Sequence, residues 1–173
     1  MEKDNAVGAA QSLMMLKKDP DLVNSSGNAI HYLGFGFVKN YKKNVKELTI
    51  QTVEDIGYAS GAAVLIRSEA LNIAGFWDED YFFYHEDLEY SLRLRLLGFR
   101  VVAVRESIFY HDYEFSRNKN KFYYMERNRW NLILTFYKWP TLLLLLPILL
   151  VTELGLLGLA LIQGWFLEKV RAS

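Results

Sequence analysis

Glu86 and Asp87 are the residues whose types and spacing most suggest chemistry. Two adjacent carboxylates stand among aromatic residues, with Phe82, Phe83 and Tyr84 before them and Tyr90 after. Charge held near apolar surface suits general-base or metal chemistry. In a helix the two side chains lie about 100° apart, so they cannot both face one point. One can face a cleft while the other anchors a loop or binds a cation. A helix N-terminus favours the ionised carboxylate, and an ionised carboxylate can take the proton of an attacking hydroxyl. A plainer reading competes with this one: acids are common in first helical turns and there need serve only the helix dipole.

Other groups nearby carry the same duality. His111 ends a strand-like run before Asp112. It could ligate a divalent metal through neutral imidazole, or be a hydrogen-bonded structural residue. Trp77, Phe82, Phe83 and Tyr84 could form an apolar wall for a sugar ring, or pack in a core. Asp78, Glu79 and Asp80 read as a capping or solvated acidic turn. There is no G-x-x-x-x-G-K-[ST] phosphate loop, no H-E-x-x-H and no G-x-S-x-G. D-x-D occurs only at Asp19-Pro20-Asp21 and Asp78-Glu79-Asp80, neither after a convincing buried strand.

The elements that must position these residues follow from periodicity. Asn5–Lys18 predicts a helix, with cations at its C-terminal end, stopped by Asp19-Pro20. Ile56–Ile66 predicts a buried strand. Ser68 is placed to cap a short helix closed by Gly75. Glu86–Leu97 is the strongest helix of the polar part, with a Glu89–Arg93 pair at i,i+4 and Gly98 as its stop. Phe99–Val104 predicts a strand, and Ser116–Tyr137 a long amphipathic helix. Strands alternating with helices give an α/β class.

A chain of 173 residues is one ordinary domain. Its formal charge is zero, so nothing global argues for nucleic acid, and it has no cysteine to form disulfides or thiolate metal sites. Hydrophobicity concentrates in Thr141–Gly164, where Glu153 is the only charge and Pro147 is expected to kink a helix. That run matches the ~20 apolar residues a bilayer-spanning helix needs. The competing arrangement is two short helices lying in one leaflet, broken near Pro147. Arg117–Lys138 carries six basic residues against Glu126 alone, which favours contact with anionic lipid headgroups or describes a solvated helix face.

In order, Ser60-Gly61-Ala62-Ala63, Ile66-Arg67, Gly75-Phe76-Trp77-Asp78-Glu79, Phe82-Phe83, Glu86-Asp87, Leu92-Arg93, Leu97-Gly98 and His111 resemble the C-terminal half of the catalytic domain of family 2 glycosyltransferases. Tyr123-Tyr124 with Arg127-Asn128 resembles the following segment of membrane-attached, rhamnosyltransferase-like members. The resemblance implies a GT-A-type fold, a nucleotide-sugar donor, a glycan or lipid-linked acceptor, and inversion at the anomeric carbon. It implies that Asp87 is the base, with Glu86 shaping the site. Gly61, Ala62, Trp77 and Asp78 would line the substrate. His111 would lie near the donor diphosphate, where Mg²⁺ or Mn²⁺ is expected. The family often has Asp two positions after the base, where this chain has Glu89. Arg129-Trp130 is similar to an acceptor motif of processive synthases, but Glu126 replaces the Gln of that motif, which favours single-sugar transfer.

The family's D-x-D and nucleotide-binding strands precede the matched block, and Asn5–Lys18 resembles the helix just past them. The expectation is therefore a partial GT-A fold lacking its N-terminal half, working with a separate N-terminal half. Its catalytic portion would span residues 1–114, a juxtamembrane helix 115–138, a membrane segment 139–167 and a tail 168–173. The expected place is the cell membrane, with the catalytic part cytoplasmic, where nucleotide sugars are made. Two alternatives stand beside it: a non-catalytic membrane-anchored scaffold, and a metal-dependent hydrolase using Glu86, Asp87 and His111.

Overall fold

The computed structural model describes residues 2, 4–112 and 120–172. The first residues of the helix expected from Ser116, including Arg117 and Lys119, lie outside them. Two compact units divide the chain: residues 4–31, 36–79 and 86–112 form one, and residues 32–35, 80–85 and 120–172 the other.

The first unit is mixed α/β, built on β1 (Val7–Leu16). This segment is a strand, where its sequence predicts a helix. Ala, Leu, Met and Gln favour helices intrinsically, but the strand is buried along most of its length, so no polar alternation marks it. At Gly8 an added Cβ would lie 2.7 Å from Cβ of Phe99, a close approach only glycine permits. β1 runs parallel to β7 (Arg100–His111), from Val7 opposite Arg100 to Leu16 opposite His111. Its other neighbours are antiparallel: β2 (Val23–Ser25) and β6 (Val64–Ile66), while β5 (Val53–Asp55) pairs β7. β3 (Asn28–Ile30) and β4 (Gly36–Val38) form a separate hairpin.

The strand expected over Ile56–Ile66 is realised only at Val64–Ile66, and the segment before it is a loop that carries Gly57 and Gly61. α1 (Ser68–Ala74) ends at Gly75, whose φ of 78° explains the glycine. Ser68 is the first helical residue rather than the cap, which is Arg67. α2 (Glu86–Leu96) matches its expected span, and Gly98 follows with φ 89°. Tyr90 and Leu94 of α2 meet Ala9, Ile56, Ala59, Ala70, Val101 and Ala103 in one core. Leu96, at the C-terminal end of α2, is exposed.

The second unit contains α3 (Lys121–Phe136), α4 (Trp139–Gln163) and α5 (Phe166–Ala172). α4 is one continuous helix through Pro147, so it is not the broken pair. It is long and apolar enough to cross a membrane. Leu33, Ile133 and Leu149 form this unit's buried apolar cluster.

Candidate active site around Asp87

Asp87 stands in the first turn of α2, and Gly61 lies opposite it. Asp87 Oδ2 accepts a hydrogen bond from the Gly61 N–H at 3.3 Å. A Cβ added at Gly61 would sit 3.9 Å from Cβ of Asp87. Gly61 and Ala62 are exposed, whereas Asp87 is half-buried. The carboxylate therefore borders a loop edge open to solvent at Gly61.

A buried polar network fixes that loop. Gln11 of β1 is fully buried, and its Oε1 accepts from the Ser60 N–H at 2.8 Å and from Asn28 Nδ2 at 2.9 Å. Asn28 Nδ2 also donates to the Tyr58 carbonyl at 3.2 Å, and Ser25 Oγ donates to Asn28 Oδ1 at 2.8 Å. From the helix side, Ser91 Oγ accepts from the Ala59 N–H at 3.1 Å and donates to the Asp87 carbonyl at 2.8 Å. Ser91 thus ties the loop before Gly61 to the turn that carries Asp87. Sequence reasoning missed Gln11, Ser25, Asn28 and Ser91. Gln11 alone carries a signal, as a polar residue inside a mostly apolar segment.

Burial, followed by repulsion from Glu86, pushes the Asp87 carboxyl up to about 7. The Gly61 N–H and the N–H groups of its own helical turn oppose this shift without cancelling it. Burial also raises Glu86, whose Oε2 is buried without a hydrogen-bond partner among the described residues. Burial makes each carboxyl group less willing to ionise, and Glu86 raises Asp87 further. Glu89 is different. It forms a bidentate pair with Arg93 at 2.7 and 3.0 Å, as the i,i+4 spacing predicted. Arg93 reaches on to the carbonyls of Ala74 and Phe76, bracing the segment between α1 and α2.

The remaining expected site residues separate. Trp77 stacks on Tyr90 with ring centroids 4.4 Å apart, so it packs on the core. Asp78 is exposed. His111 pairs with Leu16 at the far end of β1, whereas the Ser60–Ala63 loop meets β1 at Gln11 and Ser12. His111 Nδ1 lies 3.0 Å from Asn24 Oδ1, and the imidazole lines a cavity of about 200 Å³ with Lys17, Asp19, Tyr41 and Asp112. Among the described residues no three His, Asp or Glu side chains gather as metal ligands. The donor set present among the described residues therefore does not fit a divalent ion.

In the second unit, the segment just before α2 adopts an unusual backbone. Phe82, Tyr84 and His85 have φ of 53°, 64° and 66°, a left-handed conformation costly for residues with side chains. Asn128 of α3, fully buried, holds it. Its Nδ2 donates to the carbonyls of Tyr81, Phe83 and Tyr84 at 2.7, 3.0 and 2.6 Å. Arg127 adds bonds to the carbonyls of Asp80 and Tyr81, and His85 Nε2 lies 3.1 Å from the Gly34 carbonyl. Phe82 and Phe83 are exposed. The Arg129 guanidinium is fully committed within this unit, to Glu126, Glu153 and the Leu33 carbonyl.

The sequence profile of the glycosyl transferase family group 2 matches residues 46–168. The chain is 30% identical over 105 residues to the rhamnosyltransferase WbbL of Escherichia coli (strain K12), a match covering 60% of this chain and 36% of that protein.

Proposed function

Since the chain belongs to the glycosyl transferase family group 2, we propose that it is the acceptor-side portion of a GT-A-type inverting sugar transferase, with Asp87 as its base. Asp87 takes the proton of the acceptor hydroxyl as that oxygen attacks the anomeric carbon of a nucleotide sugar. One C–O bond forms, the bond to the nucleoside diphosphate breaks on the opposite face, and the proton ends on Asp87. The observation that supports this most is a half-buried carboxyl raised to about 7 beside the exposed Gly61 edge. A base works best when its pKa lies near the working pH.

The acceptor is a growing surface glycan or a lipid-linked sugar. The name of the relative makes nucleotide-activated rhamnose the first donor to test. Asp19-Pro20-Asp21 does follow the buried strand β1, but no metal-ligand group forms around it among the described residues, and the donor-binding elements are assigned to the nucleotide-binding half of the family's domain. The Mg²⁺ or Mn²⁺ implied by the resemblance is assigned to that half. α4 attaches the protein to the cell membrane, with the site on the cytoplasmic side.

In membranes carrying the chain with its donor half, transfer of radiolabel from the nucleotide sugar into glycan or lipid should rise with pH through about 7, as Asp87 ionises. A rate flat between about pH 5 and 8 would contradict the assignment. Glu86→Gln removes the repulsion that helps to raise Asp87. It should therefore move the acid limb of kcat/KM to lower pH while transfer persists. An unmoved limb would show that the two carboxyl groups do not titrate as a pair.

A further inference from the structure

We infer that α4 does not cross the bilayer but lies along one leaflet, with both of its ends on the same side of the membrane. This rests on the membrane attachment proposed above and goes beyond it. The observation is a buried four-charge cluster at the middle of an apolar helix. Glu153 lies fourteen residues after Trp139 and ten before Gln163. It accepts from Arg129 of α3, and from Lys169 Nζ of α5 at 2.5 Å. Glu126 of α3 accepts from both cations, from Arg129 Nη2 at 3.0 Å and from Lys169 Nζ at 2.5 Å. Arg129 and Lys169 are fully buried. The helix before α4 and the helix after it thus meet the same carboxylate from the same face.

Gly164, in the left-handed conformation, ends α4 and lets the chain turn back. Trp165 then stacks on Phe122 of α3 with centroids 4.5 Å apart. α5 therefore packs on both α3 and α4, whose own side chains meet at Arg129–Glu153 and Ile133–Leu149. Were α4 upright in a bilayer, Glu153 would stand about 21 Å along it, inside a hydrocarbon layer about 30 Å thick. It would bring Glu126, Arg129 and Lys169 to the same depth, where charged side chains are strongly disfavoured. α3 would also carry in Asn128 and the non-helical carbonyls of Tyr81, Phe83 and Tyr84, and such backbone is not tolerated against lipid.

Lying flat resolves the conflict. Leu142, Leu145 and Leu149 of α4 turn towards Leu33 and Ile133, with Glu153 continuing the same face. Leu143, Leu144, Leu150, Val151, Leu154 and Leu161 are each more than half exposed, and no charged residue interrupts the exposed face of α4. One face packs on Leu33 and Ile133 and carries Glu153 into the charge cluster, and the other is wholly apolar and free to meet acyl chains. Exposed Trp139 and Lys138 at its start, and exposed Arg171 in α5, suit the headgroup layer of an anionic leaflet.

The absence of cysteine makes the test clean. Lys138→Cys and Ala172→Cys are introduced singly and treated with a membrane-impermeant maleimide in sealed inside-out and right-side-out vesicles. Flotation of the same vesicles reports attachment. The expected result is that the protein floats, and that both positions label in one vesicle orientation and are protected in the other. Labelling of the two positions from opposite sides, or of neither without detergent, would overturn the in-plane placement while leaving attachment intact. Failure to float would overturn both, and would leave the assignment of Asp87 to be judged on its own.

Discussion

Asp87→Asn should lower sugar transfer by about 10²–10⁴-fold, the range typical for loss of a positioned general base, and should make the folded chain more stable above pH 7. The two effects have one cause. The Asp87 carboxyl is raised from an ordinary value near 4 to about 7 by burial and by Glu86. A group whose folded pKa is raised favours the fold below its unfolded pKa, and loses that contribution as pH climbs to the folded value. At pH 8 the carboxylate is therefore ionised at a cost to stability. One pKa unit is worth about 1.4 kcal/mol, so a shift of this size sets a ceiling of about 4 kcal/mol. Asparagine keeps the shape and can still accept from the Gly61 N–H, but it carries no charge. Thermal melts of both proteins should nearly coincide at pH 4 and separate at pH 8, with the variant higher. A residue serving only the helix dipole would give the reverse, a variant less stable at pH 8.

Asn128→Ala should destabilise the chain by about 2–4 kcal/mol and depress transfer as well. The Asn128 amide has two N–H groups and serves three carbonyls, those of Tyr81, Phe83 and Tyr84, so one bond is shared. Deleting a buried donor leaves those carbonyls unpaired, at about 1–3 kcal/mol for each group that stays dry. It also releases Phe82, Tyr84 and His85 from a left-handed backbone that is unfavourable without support. That segment leads directly into Glu86, the first residue of α2. Denaturant unfolding at neutral pH measures the stability loss. Asn128→Asp should be at least as harmful, because a carboxylate donates nothing to three carbonyls. Unchanged unfolding in both variants would show that the loop holds itself.

The sequence disclosed most where local rules and tertiary structure agree. α2 was legible from its Glu89–Arg93 pair and its stop at Gly98, and α1 from its stop at Gly75. Of the expected site residues, Gly61 and Asp87 are brought together by a hydrogen bond, and the ordered family motifs span both. β1 was misread because central strands buried on both faces lose the alternation that marks a strand, and its residues favour helix on their own. The supports of the site were also hidden. Gln11, Asn28 and Ser91 act through partners 49, 30 and 32 residues away in the chain, and no local pattern encodes such a bond. Glu153 read as a lone charge in an apolar run. Its two cations lie 24 residues before it and 16 after it, and only the fold shows them as partners.

Carboxyl-carbon NMR titration of Asp87 tests the central assignment most directly. The resonance is identified by its disappearance in Asp87→Asn and followed between about pH 3 and 9. A midpoint near 7, moving lower in Glu86→Gln, is the predicted result. A midpoint near 4, unaffected by Glu86, would mean an ordinary first-turn acid with no capacity held for an acceptor proton, and would contradict the role given to Asp87.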